Sequence, residues 1–432
     1  MPRGVPPLDA MRKLRRVARK GVSASGRAFT AINDQVAKRI AARGFASDNE
    51  AEYSVALVHA GGPLTAYQMR QWVRPLNDLD ERLREHGVPG AAIIVRDARV
   101  MRACGGLAKV PVRLAPGMAE VIEALNKPSV RVALYANNNT LNFQAMAAQL
   151  PAHVHVGHGE SDKASMVSNQ VRAYDAALIA GQGARDRLMA RLVGLERVAL
   201  YEVGRPQMDF PDPPFEPVPE TSKKTVFYAP TWEGDRPEMS YSSVASCGSR
   251  VVTDLVDSGF RVIYRPHPQT GRNSALHAAA DRRIRRILQQ AGPEHVVDDR
   301  PGLGWQWSVA DAAVLDVSAM AFDALAADLP TVVIAPEHER AERVVGGILE
   351  SLVVMDPALA GTSGGGICEL LERADHADAV AERRRCAAYY FGDVTSGTQR
   401  ERFVDACWDI LVQRDRALAD ELGIASVLPS SS

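Results

Sequence analysis

The sequence predicts an α/β protein of two domains, each built on a parallel sheet, with a basic helical segment in front. Three observations predict this class. The chain has 432 residues, and at about 150 residues per domain that length favours two or three domains. Apolar runs alternate with helical patterns, which indicates βαβ units and parallel strands. Segment 206–219 holds six prolines near the middle of the chain, so we predict a linker there.

The predicted elements follow in order along the chain. Strands are predicted at 53–59, 91–95, 130–135, 153–156, 176–180, 197–201, 225–228, 261–264, 312–315 and 331–334. Helices are predicted at 66–86, 118–125, 142–149 and 397–420. We therefore divide the chain into a basic amphipathic segment at 1–46, an α/β domain at 47–205, the linker at 206–219 and a second α/β domain at 220–432. A cleft between the two domains is expected.

The composition excludes several classes of protein. Hydrophobic residues make up 46% and charged residues 24% of the chain, as in ordinary globular proteins. No apolar run approaches the roughly 18 residues of a membrane-spanning helix, and the start carries no pattern of a secretory signal. The five cysteines are scattered without C-x-x-C spacing, which is typical of free thiols in a reducing compartment. We expect a cytoplasmic location.

The first 43 residues carry a strong positive charge. They hold eleven basic and two acidic residues, a net charge of +9, whereas the rest of the chain carries −10. Apolar residues recur there at helical spacing beside the basic face, for example Met11, Leu14 and Val22. This pattern is typical of a helix on an anionic membrane surface. The alternative is a flexible tail or a helix packed on the body. A nucleic-acid-binding arm is a third option, but the segment lacks the interleaved aromatic residues that would support it.

Four short segments carry the chemical signal, and the first is HGESDK at 158–163. His158 follows an apolar strand in a glycine-flanked loop and is a candidate general base. Glu160 or Asp162 could orient its imidazole, and Lys163 could meet a phosphate as a point charge. The alternative is a polar loop that caps a helix.

The second and third segments each end a strand. YAPTW at 228–232 brings Thr231 to a strand end, although a plain strand-to-loop junction with a core tryptophan fits as well. YRPHP at 264–268 holds Arg265 and His267 between prolines, which stiffen the loop. Arginine suits phosphate recognition and histidine can donate or transfer a proton there. The alternative is a stiff loop whose charged groups pair locally.

The fourth segment, 311–335, has the pattern strand, Asp316-x-Ser318, helix, strand. Ser318 occupies the predicted N-cap, where backbone N–H groups and the helix dipole favour a phosphate. Asp323 lies five residues further on and could reach a ribose hydroxyl. An ordinary βα unit with a serine cap is the alternative.

In this order and at these spacings, the four segments resemble the CDP-glycerol glycerophosphotransferases, which include the teichoic-acid primases and polymerases of bacterial cell walls. The resemblance covers roughly residues 150–335. It implies a GT-B-like architecture of two Rossmann-like domains that face each other across a cleft. It also implies that the protein is attached peripherally to the inner face of the cell membrane. It also implies transfer of glycerol phosphate from CDP-glycerol, or a related CDP-polyol, to a hydroxyl of a lipid-linked glycan or wall polymer, with release of CMP.

The resemblance also implies roles for matching residues. His158 would deprotonate the acceptor hydroxyl, and Arg265 and His267 would contact the donor pyrophosphate, with His267 assisting the leaving phosphate. Ser318 would hold phosphate at the helix start, and Asp323 would contact the ribose. Thr231 would line the same cleft. Beside these roles, the residues themselves make Lys163 a candidate phosphate contact, and Glu160, Asp162 and Asp316 candidate supporting groups. No organic cofactor is expected, and the sequence shows no clear carboxylate cluster for a metal, which leaves a metal requirement open.

The chain departs from the family pattern in two segments. Many members have Thr-Pro-Leu where this chain has Glu160-Ser161-Asp162, and many have a serine at the position of Ala319. Two other functions therefore stay open, because a fold alone does not fix a function. One is a nucleotide-sugar glycosyltransferase on the same fold, which would release UDP or GDP. The other is a non-catalytic, membrane-associated scaffold.

Overall fold

The computed structural model describes residues 51–163, 166–235, 239–300, 302–337, 347–361 and 366–429. Contacts between residues divide the chain into two compact units. Unit 1 comprises the chain up to His153 together with Ile410–Ser432, and unit 2 comprises Val154–Asp409. The basic segment predicted at 1–46 lies outside the described residues.

The strands and helices alternate along the described chain. The strands are β1 (Val55–His59), β2 (Ala91–Val95), β3 (Val112–Leu114), β4 (Val132–Tyr135), β5 (Ala152–His155), β6 (Ala176–Ile179), β7 (Ala199–Glu202), β8 (Thr225–Ala229), β9 (Arg261–Tyr264), β10 (Val296–Val297), β11 (Ala312–Asp316), β12 (Thr331–Ile334) and β13 (Val353–Met355). The α-helices are α1 (Ala66–Arg70), α2 (Val73–Glu85), α3 (Ala98–Met101), α4 (Met118–Leu125), α5 (Thr140–Ala145), α6 (Gln182–Arg191), α7 (Ser249–Asp257), α8 (Ala275–Ala291), α9 (Trp305–Val309), α10 (Ala319–Ala326), α11 (Ile348–Ser351), α12 (Ile367–Ala374), α13 (Ala377–Phe391) and α14 (Thr398–Leu422).

All assigned strand pairs in both units are parallel, which confirms the predicted α/β class. In unit 1 the strand order is β3-β2-β1-β4. In unit 2, β6 lies between β5 and β7, and a six-stranded sheet has the order β10-β9-β8-β11-β12-β13. The ten predicted strands are confirmed to within two residues at each end.

The six-stranded sheet is buried on both faces. Phe227, Ile263 and Leu315 belong to one hydrophobic cluster, and Tyr228 and Tyr264 belong to another. Because side chains alternate along a strand, these two clusters cover opposite faces of the sheet. Burial on both faces explains why β8, β9, β11 and β12 are continuous apolar runs in the sequence.

The structure corrects three details of the predicted elements. The helix predicted at 142–149 is α5, which begins at Thr140 and ends at Ala145. The helix predicted at 66–86 is two helices, α1 and α2. Pro75 lies in the first turn of α2 and has no N–H for the carbonyl of Gln71, so the helix cannot continue through that turn. Three strands were not predicted, β3, β10 and β13, and each has two or three residues at the edge of its sheet.

Segment 206–219 contains a 3₁₀ turn at Pro206–Asp209 and one isolated β-bridge from Asp212 to Gly304. This confirms the prediction that the segment is neither an α-helix nor a central strand. Unit 2 nevertheless includes this segment and begins earlier, at Val154. Contacts such as those of Lys163 with Thr231 and of Arg205 with Asp323 join 154–205 to the later part of unit 2. The domain boundaries given above therefore differ from the contact-defined units and stay a prediction.

Candidate functional site

The candidate site lies where the strand order of the six-stranded sheet reverses. After β8 the chain adds β9 and β10 on one side, and it then adds β11, β12 and β13 on the other. In open parallel sheets ligands bind at the carboxyl ends of the two strands that flank such a reversal. Here those strands are β8 and β11. Thr231 lies two residues after β8, Asp316 is the last residue of β11, and Ser318 follows it.

Asp316 ties the ends of β8 and β11 together. Its side chain is fully buried, and its Oδ2 accepts hydrogen bonds from the backbone N–H of Thr231 at 2.8 Å and of Ser243 at 3.1 Å. Burial raises the pKa of Asp316 to about 6, against the effect of these hydrogen bonds. Asp316 therefore fixes the loop after β8, and at neutral pH most of its carboxylate is ionised.

Lys163 joins the first segment to the second. Its Nζ donates to Thr231 Oγ1 at 3.0 Å and lies 5.2 Å from the ring centre of Tyr241. Burial lowers the pKa of Lys163 to about 8, although the Asp316 carboxylate acts in the opposite direction. The ammonium group is thus held at the strand end, and most of it is charged at pH 7.

The loop that carries His158 lies against the start of α10. A Cβ added at Gly159 would lie 2.8 Å from the Cβ of Ala319, the first residue of that helix. Gly157 has φ of +63°, which glycine adopts without strain. The two glycines therefore allow the first and fourth segments to approach each other directly.

His267 stacks on the second segment. Its ring lies 6.0 Å from that of Trp232, nearly parallel at 16°. Its Nδ1 accepts a hydrogen bond from the backbone N–H of Gln269 at 3.2 Å. The neutral ring must then carry its hydrogen on Nε2. His267 is therefore arranged to donate a hydrogen bond from Nε2.

The surroundings of His267 are positive. Burial, together with the charges of Lys163, His158 and Arg265, lowers the pKa of His267 to about 4, while Glu233 acts in the opposite direction. His267 is accordingly neutral at pH 7 in the free protein. A site where several cations meet a neutral N–H donor suits an anionic group such as a phosphate.

Arg265 is oriented by Asp298. Its Nη1 donates to Asp298 Oδ2, and the same oxygen accepts from Gln306 Nε2. The Arg265 side chain stays 18% exposed. The ion pair therefore holds the guanidinium in one place without enclosing it.

Ser318 occupies the N-cap position of α10, as predicted, but its side chain does not cap the helix. Its Oγ is buried and has no hydrogen-bond partner among the described residues. A hydroxyl at a helix start that bonds to none of the described residues is available to a ligand there.

Three of the candidate residues contact other groups. Asp323 is 1% exposed, and both of its oxygens accept from the Arg205 guanidinium, at 2.7 and 3.1 Å. Glu160 and Asp162 are also buried, and both pair with Arg187. These contacts favour structural roles, so a ribose contact by Asp323 and orientation of His158 by the two acids stay predictions.

Glu233 was not among the predicted residues. Its carboxylate accepts from the backbone N–H groups of Gly271 at 2.9 Å and Asn273 at 2.8 Å. It thereby fastens the loop that follows His267 to the loop that carries Trp232. The only sequence signal was its position directly after the YAPTW segment.

Within the described ranges, no helix is both long enough and apolar enough to cross a bilayer. In the same part of the chain, no group of three or more histidine, cysteine or acidic residues could hold a metal ion.

Comparison with known proteins identifies a family and a fold. Residues 130–409 match the family model described as CDP-glycerol:poly(glycerophosphate) glycerophosphotransferase. Among curated proteins, the sequence finds no match.

Solved structures with similar folds include the wall teichoic acid polymerase TagF, with 12% identity, a TM-score of 0.52 and coverage of 95% of this chain and 99% of that one. A putative UDP-N-acetylglucosamine 2-epimerase from Listeria monocytogenes has 15% identity, a TM-score of 0.57 and coverage of 85% and 98%. A glycosyltransferase from Rickettsia africae has 10% identity, a TM-score of 0.51 and coverage of 84% and 98%. At these identities the likeness shows the fold alone.

Proposed function

Because the chain belongs to the CDP-glycerol:poly(glycerophosphate) glycerophosphotransferase family, we propose that it moves a glycerol phosphate unit from CDP-glycerol to a hydroxyl of a lipid-linked glycan or wall-polymer acceptor and releases CMP. The observation that carries this proposal is the convergence of four segments distant in sequence. Lys163 contacts Thr231, Thr231 contacts Asp316, and His267 stacks on Trp232 of the same segment as Thr231.

In the proposed reaction, the acceptor oxygen attacks the phosphorus that bears the glycerol. The bond from that phosphorus to the bridging oxygen of the pyrophosphate breaks, and CMP leaves with the bridging oxygen and the electron pair. The hydroxyl proton passes to His158, which acts as general base. Phosphoryl transfer of this kind depends mainly on positioning and on neutralising charge.

The charge on the leaving CMP would be neutralised by the cations of the site. Lys163 and Arg265 supply positive charge, His267 donates its Nε2–H, and the start of α10 beside Ser318 supplies backbone N–H groups. His267 then stabilises the leaving phosphate first as a hydrogen-bond donor. Bound phosphate would also raise the pKa of His267 and favour its protonated form.

Calorimetry with four nucleotides tests the donor. CDP-glycerol, CDP-ribitol, UDP-glucose and GDP-mannose are titrated into the full chain and into His267→Ala. We expect tightest binding of a CDP-polyol and at least tenfold weaker binding by the variant, because a donor to the phosphate is lost. Preference for a UDP- or GDP-sugar would instead make the protein a nucleotide-sugar glycosyltransferase, and the absence of any binding would favour a scaffold.

The proposal includes peripheral attachment to the inner face of the membrane through residues 1–43. Its basis is their net charge of +9 and the helical spacing of their apolar residues. Deleting 1–43 should abolish binding to vesicles that contain anionic lipid, and wild-type binding to uncharged vesicles should be weak. Equal vesicle binding by the deleted and full chains would contradict the attachment.

A further inference from the structure

The loop that carries His158 and Lys163 has a second set of side chains, which make different contacts. Lys163 donates a hydrogen bond to Thr231, and the charge of His158 lowers the pKa of His267. Glu160 and Asp162 are instead buried, at 3% and 5% exposure. Because a buried carboxylate is costly unless it is paired, the partners of these two acids govern where the loop can lie.

Arg187 of α6 is the partner that the two acids share. Its Nη2 pairs with Glu160 Oε1, and its Nη1 lies 3.3 Å from Asp162 Oδ1. The Arg187 side chain is itself only 9% exposed. One forked cation thus bridges two carboxylates that lie two residues apart in the loop, a geometry that suits arginine and that lysine cannot reproduce.

The place of Arg187 follows from the packing of α6. A Cβ at Gly183 would lie 2.8 to 2.9 Å from ring atoms of Tyr389 and Tyr390, so the glycine lets α6 lie close against α13. Arg187 is four residues further along, on the same face of the helix. Tyr390 also donates to Asp162, at 3.3 Å from Oδ1, so the three groups share one site.

The loop has further hydrogen bonds at the same acids. Asp162 Oδ2 accepts from the backbone N–H of Ile348, the first residue of α11, at 2.7 Å. Glu160 Oε1 accepts from the backbone N–H of Ser161 at 2.9 Å. An amide in place of either carboxylate would keep an oxygen for these bonds, so charge and hydrogen bonding can be separated by mutation.

We propose that Arg187 is a positioning residue, which holds the 157–163 loop in its working place by pairing its positive charge with both Glu160 and Asp162. Without its charge, two adjacent carboxylates would face each other inside the protein, and the loop would move outward to water. His158 and Lys163 would move with it. The link to catalysis rests on the proposed function, whereas the hold on the loop does not.

Amide hydrogen exchange of residues 157–163 tests the hold on the loop without any substrate. In Arg187→Met we expect exchange at least tenfold faster than in the wild type. In the triple variant Glu160→Gln, Asp162→Asn, Arg187→Met we expect slow exchange to return, because no buried charge is left unpaired. Arg185→Met is the matched control, since Arg185 lies on the same helix and pairs with the partly exposed Glu202.

Each outcome decides the inference. Unchanged exchange in Arg187→Met would overturn it, and so would fast exchange that persists in the triple variant. If Arg187→Met does not fold by itself, the triple variant still decides, since it keeps the loop protected only if pairing with these two charges is the role of Arg187.

Turnover is then measured on the same proteins. A fall in kcat of at least tenfold with KM little changed, restored in the triple variant, is expected from a displaced base. If the wild type shows slow exchange and no turnover with CDP-glycerol, the proposed function fails while the hold on the loop stands.

Discussion

Replacing Gly159 by alanine tests whether the His158 loop and the start of α10 work at contact distance. The added carbon would lie 2.8 Å from the Cβ of Ala319, and apart from atoms of residues 158–160 it would approach no other described atom within 4 Å. Carbon atoms in contact normally lie about 3.5–4.0 Å apart, so the loop must retreat by about 1 Å. The φ of Gly159 lies outside the left-handed range, so alanine adds no strain of that kind.

A displacement of about 1 Å in a positioned catalytic group can lower the rate about 100-fold, equivalent to roughly 2.7 kcal/mol of transition-state free energy. We therefore expect Gly159→Ala to reduce kcat/KM for CMP release from CDP-glycerol by about 100-fold. The assay measures the rate of CMP formation from CDP-glycerol in the presence of a soluble analogue of the lipid-linked acceptor. Thermal unfolding measured in parallel shows that the variant is folded.

The matched control removes the opposing carbon. The double variant Gly159→Ala, Ala319→Gly restores the space and should recover most of the lost rate, although glycine in the first turn of α10 costs up to about 1 kcal/mol of helix stability. Ala319→Gly alone should stay within a few-fold of the wild type. Wild-type activity in Gly159→Ala, or no recovery in the double variant, would refute the reasoning.

Three other predictions concern the charged groups of the site. In an NMR titration His267 should titrate near pH 4 with its neutral hydrogen on Nε2, and CDP-glycerol should raise that pKa by at least one unit; an unshifted pKa would exclude nearby phosphate. CDP-glycerol affinity should fall as pH rises through about 8, where Lys163 loses its proton. Asp316→Asn should move this fall in affinity to lower pH, because the carboxylate raises the pKa of Lys163. Calorimetry at several pH values measures both effects. Asp323→Asn should leave Arg205 buried without its charge partner, and it should lower the free energy of unfolding in urea by about 3–5 kcal/mol. Unchanged stability together with weaker CDP-glycerol binding would instead support a contact of Asp323 with the ribose.

The central strands were predictable because burial on both faces makes them continuous apolar runs. β9 is an example, since residues 262–264 form an apolar run, all four residues of the strand are buried and its predicted bounds are confirmed. β10 has only two residues at the sheet edge, and so short a run shows no periodicity in sequence. Edge strands of this kind depend on contacts with the rest of the sheet more than on their own composition.

Part of the candidate site was predictable because each segment ends a strand or starts a helix. Ser318 follows β11 directly and occupies the N-cap of α10, as its position in the sequence indicated. The partners of the charged residues were not predictable. Asp323 pairs with Arg205, which lies 118 residues earlier, and local sequence carries no trace of such a pair.

Transfer of label from CDP-glycerol with ³²P in the glycerol-bearing phosphate tests the central claim most directly. A phosphotransferase cleaves the pyrophosphate, so the label should pass to the acceptor in a one-to-one ratio with unlabelled CMP. His158→Ala should abolish both products together. Label that stays in the nucleotide as CDP would mean cleavage between glycerol and phosphate, as in glycosyl transfer, and would contradict the account.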